Sequence, residues 1–215
     1  SSIEFVAEKP ILDFTVFKPT AIASTQILKK VSSNKSLDKQ EKMLFDKSLD
    51  RFNKICLLAH EKNVRVLVDA EESWIQNAID EIVLSMMMKY NKEKAIVFNT
   101  SQMYRHDRLN YLKTLHNKAL KNNFFIGIKL VRGAYIEKEK KRARSNNYLS
   151  PICSSKELTD QNFNNGVSYI LSNLDRISLF SGTHNEESIY KIINIMDTKK
   201  INRDDPKIWF GQLYL

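Results

Sequence analysis

Glycine and proline are scarce: five and four among 215 residues leave little for flexible linkers, and no low-complexity tract or internal repeat interrupts the chain. Cysteine is scarcer still. Cys56 and Cys153 lie far apart with no Cys-x-x-Cys spacing, so they specify neither a disulfide framework nor a thiolate zinc site, and they favour a reducing compartment. Histidine offers no metal cluster either, because His60, His106 and His116 fall in helical patterns without ligand spacing. No stretch approaches the ~18 consecutive apolar residues that would cross a bilayer, and Ser1 to Pro10 lacks the basic, apolar and small-residue succession of a secretory leader.

What is present, 42% hydrophobic and 27% charged residues, suits a single globular domain over residues 1–215. The formal net charge is +9. Taken alone, that would admit a nucleic-acid or membrane-surface partner. The basic residues are dispersed, however, through Lys-Asn-Glu mixtures at Asn34 to Asp50, Lys113 to Asn123 and Glu137 to Arg144, as on solvated helix faces. No basic stripe interleaved with aromatics offers stacking for bases, so no nucleic acid is expected. A basic surface would still assist peripheral contact with anionic lipid.

Short apolar runs alternate with longer helical patterns. The runs are Phe14 to Phe17, Val64 to Val68, Ala95 to Phe98, Phe125 to Val131, Ile177 to Ser181 and Ile208 to Leu213, mostly β-branched or aromatic, as buried parallel strands are. Between them Phe45, Leu49, Phe52, Cys56 and Ala59 share one helix face, and Trp74, Ile75, Ala78, Ile79, Ile82, Val83, Met86 and Met87 mark another. Ser73 and Gln76 predict a capping box at the start of that second helix. Further helices are expected from about Tyr104 to Asn122, Thr159 to Asn173 and Glu186 to Met196.

Repeated strand-helix units imply a parallel sheet with right-handed crossovers. The strand ends choose between an open doubly wound sheet and a barrel. Every run stops at polar residues: Lys18 and Thr20; Asp69 and Glu71; Asn99, Thr100 and Gln102; Lys129 and Arg132; Thr183, His184 and Asn185; Gln212 and Tyr214. An open sheet gathers ligand groups at one switch point, whereas a barrel presents every strand end to a common mouth. The expected fold is therefore α/β, a (β/α)8 TIM-type barrel. Only six units are visible where closure needs eight, so the expectation is that at least one strand is lacking at each end.

Read together, Asp69-Ala-Glu71, Asn99-Thr-Ser-Gln102-Met-Tyr104, Lys129-Leu-Val-Arg132-Gly-Ala-Tyr135, Thr183-His-Asn185 and Gln212-Leu-Tyr214 resemble the strand ends of the proline dehydrogenases in the same order. The Lys129 to Tyr135 segment is the most specific of these. The resemblance implies an FAD-binding barrel that oxidises L-proline to 1-pyrroline-5-carboxylate by hydride transfer to flavin N5 and passes the electrons to a membrane quinone. It implies contact of Lys18 with the substrate carboxylate, an active-site role for Asp69, and a cation at Lys129 that stabilises charge developing on the flavin. Val68, Gln102, Arg132, Gly133, Ala134, Thr183 and His184 match positions that line the cofactor, with Arg132 offering charge to its pyrophosphate and Gly133 a close backbone approach.

The family continues with Gly after Gln-Leu-Tyr, where this chain has Leu215, and then with a helix whose paired arginines grip the substrate carboxylate. A different FAD barrel, such as a methylenetetrahydrofolate reductase, and a degenerate barrel that only binds a partner are the alternatives. Lys18, Asp69, Gln102, Lys129 and His184 are expected to surround one flavin-sized hollow. The compartment implied is the inner-membrane face of a bacterium or the mitochondrial inner membrane and matrix.

Overall fold

Residues with branched or aromatic side chains extend readily, and six such segments form strands among the described residues: β1 (Phe14–Phe17), β2 (Arg65–Val68), β3 (Val97–Gln102), β4 (Ile126–Val131), β5 (Ile177–Gly182) and β6 (Ile208–Gly211). The computed structural model describes residues 2–9 and 12–212, and the chain divides into two units, Ser1–Asn99 and Thr100–Leu215. Leu213 and Tyr214, expected at the end of the last strand, lie outside the described residues.

In the first unit β1 pairs parallel with β2 in the register Phe14↔Arg65 to Phe17↔Val68, and β2 pairs parallel with β3 from Val66↔Val97 to Val68↔Asn99. Three helices complete it beside the short α1 (Ser2–Ala7): α2 (Thr25–Ser32), α3 (Lys39–Glu61) and α4 (Ser73–Tyr90). Helix α3 begins at Asp38, whose carboxylate accepts from Glu41 N at 2.8 Å while the Glu41 carboxylate accepts from Asp38 N at 3.0 Å. That reciprocal pair satisfies two of the donors a helix start leaves open. Its buried stripe, Ser48, Phe52, Cys56 and Ala59, faces the core, where Phe52 meets Phe17 with ring centroids 5.4 Å apart. Burial pushes the Cys56 thiol up to about 12, so it behaves as an apolar side chain.

The expected capping box at Ser73 does not form. Glu72 is the N-cap and Ser73 already lies within α4, while Gln76 is buried and donates from Nε2 to Asp80 at 2.9 Å. The competing attraction is a buried carboxylate needing donors, which outweighs an exposed backbone amide. At the other end of α4, the fully buried Asn91 closes the turn into β3: its Oδ1 accepts from Ile96 N and Val97 N at 3.0 and 2.8 Å, and its Nδ2 donates to Val97 O at 2.9 Å.

The second unit holds the end of β3 and α5 (Arg108–Asn122), β4, α6 (Ile136–Ser145), α7 (Lys156–Leu171), β5, α8 (Glu186–Thr198) and β6. Beyond β3, Met103 N donates to Val131 O at 2.8 Å and Tyr104 N to Arg132 O at 2.7 Å, so the chain stays beside β4. Strands β4 and β5 pair parallel from Ile126↔Ile177 to Leu130↔Ser181, and β5 with β6 from Leu179↔Ile208 to Gly182↔Gly211. In both units strand neighbours follow chain order, without the reversal that defines a doubly wound sheet. Strand β3 runs further than its apolar residues suggest, through Asn99, Thr100, Ser101 and Gln102, all buried.

Replacing Asn91 with Ala strands three buried backbone groups and should destabilise the fold by about 3 kcal/mol, against about 1 kcal/mol for Asp38→Ala at an exposed helix start. Denaturant unfolding of both variants checks the ranking, which an equal or inverted pair of losses would contradict.

Candidate functional site

Side chains at the carboxyl ends of β1 and β2 meet first. Asp69 N donates to Phe17 O at 3.0 Å, which carries the β1–β2 pairing one residue past Val68. The buried Glu71 accepts from Thr20 N at 3.1 Å and from Thr20 Oγ1 at 2.6 Å, tying the turn after β1 to the turn after β2. That tie fixes the backbone around Lys18, which is exposed, and Asp69, which is half-buried; Val68 is fully buried. Asp69 lies before the Glu72 N-cap, outside the first turn of α4. Asn99 donates from Nδ2 to Asp80 at 2.8 Å and is fully buried, a strut between β3 and α4.

In the second unit Arg132 stands at the centre. Its Nε donates to Asp160 Oδ1 at 2.6 Å, Nη1 to Thr183 Oγ1 at 2.7 Å and Nη2 to Ser188 Oγ at 3.0 Å, and the guanidinium carbon lies 4.7 Å from the Phe163 ring centroid. Asp160 also accepts from Lys156 Nζ at 2.8 Å. Burial alone would raise the Asp160 carboxyl, but hydrogen bonds from Lys156 and Arg132, and their charges, hold it below the usual carboxylate range. Thr183, buried, also accepts from Asn185 N at 3.1 Å. Its oxygen thus has both lone pairs engaged, and its own proton is what remains to offer.

Around that cation the backbone is shaped for close approach. Gly133 has φ +132°, a conformation L side chains rarely adopt, and a Cβ there would fall 2.6 Å from the Tyr104 ring. The protein itself therefore requires the glycine. Ala134 N donates to Gln102 Oε1 at 3.3 Å, which orients the buried glutamine. Lys129 is half-buried on β4 opposite Phe180 in register, its Cε 3.6 Å from where a Gly182 Cβ would lie. His184 is exposed and stands outside the Arg132 network.

The structure thus brings together Gln102 with Ala134, and Arg132 with Thr183, and it sets Lys18 and Asp69 each one residue past the paired Phe17 and Val68. Sequence reasoning missed Asp160, Phe163, Asn164 and Ser188. The first three share one face of α7 at i, i+3 and i+4, a helical spacing with no local sign of what it faces. A cavity of about 440 Å³ lined by His106, Ile152, Cys153 and Asn162 contains none of the candidate residues. Among the described residues no group of three His, Cys, Asp or Glu could hold a metal, and no helix is long and apolar enough to cross a membrane.

The solved structures define the class. The chain matches proline utilization A from Bdellovibrio bacteriovorus with a TM-score of 0.80 at 23% identity, over 93% of this chain and 20% of that one. Proline utilization A from Corynebacterium freiburgense gives a TM-score of 0.80 at 18% identity, over 99% and 21%. With parallel strands wound in chain order, the fold is α/β of the TIM-barrel type. The family model described as proline dehydrogenase matches residues 4–214, and the chain belongs to that family.

Carbapenem antibiotics biosynthesis protein CarD of Pectobacterium carotovorum subsp. carotovorum is 36% identical over 212 residues, 99% of this chain and 54% of that protein. Proline dehydrogenase 1, mitochondrial, of Drosophila melanogaster is 36% identical over 184 residues, 81% and 27%. The chain spans about half or less of the length of these relatives.

Asp160 has a folded pKa below its ordinary value of 3.8, so its stabilising contribution is complete at neutral pH, begins to fall as acid approaches that ordinary value, and is gone once the pH has passed below the folded one. Carboxyl-carbon NMR titration should place its midpoint under 3.8. A midpoint at or above that value would show that Lys156 and Arg132 do not hold it.

Proposed function

We propose that the protein bearing this chain is an FAD-dependent proline dehydrogenase that oxidises L-proline to 1-pyrroline-5-carboxylate, with the chain forming much of one barrel domain. The observation that carries the reading is the Arg132 cluster: a half-buried guanidinium, the Gly133-Ala134 turn with its positive φ, and a Thr183 hydroxyl left with a proton to donate. Such a donor set fits a diphosphate. Arg132, Gly133, Ala134, Thr183 and His184 would hold the phosphate and adenosine half of FAD, and Val68 and Gln102 its ring.

FAD, when bound, supplies the acceptor for the hydride that leaves the ring carbon next to the proline nitrogen. The residues around it do the rest. Lys18 would bind the substrate carboxylate, and Asp69 would hold the groups beside the substrate in register. As the carbon–nitrogen double bond forms, the amine proton is released. Lys129, a fixed cation on a rigid strand, would stabilise the negative charge left on the acceptor, although lysine offers a point charge and no bidentate contact.

A membrane quinone as electron acceptor completes the reading. The net charge of +9 supports peripheral contact with anionic lipid. Relatives from Drosophila melanogaster and Dictyostelium discoideum are named mitochondrial, which supports a mitochondrial inner-membrane site in a eukaryotic host and the inner-membrane face in a bacterial one.

Proline-dependent dye reduction by the purified full-length protein tests the proposal. Turnover with hydroxyproline alone would move the substrate to that of the hydroxyproline dehydrogenase relative, 32% identical over 170 residues. Turnover with methylenetetrahydrofolate and not proline would overturn the reading. Lys129→Met should lower kcat on the order of a hundredfold with flavin still bound, as loss of one charge-stabilising group does, and Arg132→Ala should weaken flavin binding without abolishing it.

A further inference from the structure

Arg132 is seated by one face of α7. Asp160 takes Nε at 2.6 Å, Phe163 flanks the guanidinium at 4.7 Å, and Asn164 Oδ1 accepts at 2.9 Å from the Ser188 hydroxyl that itself accepts from Nη2. Three of the five guanidinium hydrogens are thereby engaged with the protein, one on each nitrogen, and one hydrogen on each Nη remains. A long, flexible side chain has become a rigid fork.

We propose that Asp160 is a positioning residue for the flavin: by holding Arg132 Nε it aims the remaining Nη hydrogens at a single anion. The inference rests on the FAD reading above. Charge alone argues the other way, because an aspartate beside an anion site repels the anion. Lys156 resolves the conflict. It bonds the second oxygen of the same carboxylate at 2.8 Å, so two cations share one anion and the cluster keeps a net positive charge. The carboxylate can therefore fix Arg132 without cancelling it. Simple electrostatics and positioning then give opposite signs for the effect of removing Asp160.

The test is equilibrium FAD binding to the purified full-length apo-protein, followed by quenching of flavin fluorescence, for wild type, Asp160→Ala, Arg132→Ala and the double variant. Asp160→Ala should weaken binding on the order of tenfold, as loss of an outer-shell partner does at metal sites. In the Arg132→Ala background the same change should have no further effect, since the group it positions is gone. A merely structural aspartate would weaken both backgrounds equally. Asp160→Asn, which keeps an acceptor oxygen for Nε, should lose less than Asp160→Ala and provides the reading if the alanine variant does not fold.

Binding as tight as wild type or tighter in Asp160→Ala or Asp160→Asn, or equal losses in both backgrounds, overturns the inference while leaving the FAD reading intact. Absence of FAD binding by the wild type removes both.

Discussion

A guanidinium half withdrawn from water must be compensated on every nitrogen, and that demand organises the second unit. Arg132 leaves the end of β4, and its partners arrive from α7, from the end of β5 and from the first turn of α8. Their hydrogen bonds are charge-assisted and therefore among the stronger ones available to a protein. Each partner is itself held: Asp160 by Lys156, Thr183 by Asn185 N, and Ser188 by Asn164. Removing the arginine would leave a carboxylate and two hydroxyls facing one another without their common donor.

The first unit meets the same requirement with neutral and acidic groups. Glu71 draws the turn after β1 onto the turn after β2, and Asp80 gathers Gln76 and Asn99 between α4 and β3. Polar residues at strand ends thus divide into two kinds. Some, such as Asn99, are absorbed by their neighbours and hold elements together. Others, such as Lys18, stay exposed on a backbone that those struts have made rigid.

That division explains what could be read from the residues alone. Strands β1, β2, β4 and β5 announce themselves because branched and aromatic residues have few other places to go, and α3 and α4 show their buried stripes directly. Strand β3 is longer than read because Asn99 to Gln102 look like a loop unless one knows that Asp80 and the Ala134 amide await them. Helix α2 went unread: its residues, Thr25 to Ser32, include two lysines and bury only Ile27 and Leu28. The Ser73 box failed because Gln76 has a better partner in Asp80, one turn on. Asp160 was invisible for the converse reason: its partner lies 28 residues away, and no local pattern marks a long-range ion pair.

The meeting of Gly133 and the Tyr104 ring closes one position twice over. A smaller residue at 104 would clear space for a methyl group, but the backbone angle at 133 would still exclude it. Space and torsion are independent vetoes, so no single compensating change elsewhere can license a side chain there. In a library that randomised both positions and selected only for folded protein, residue 104 should diversify among large apolar types while 133 stays glycine.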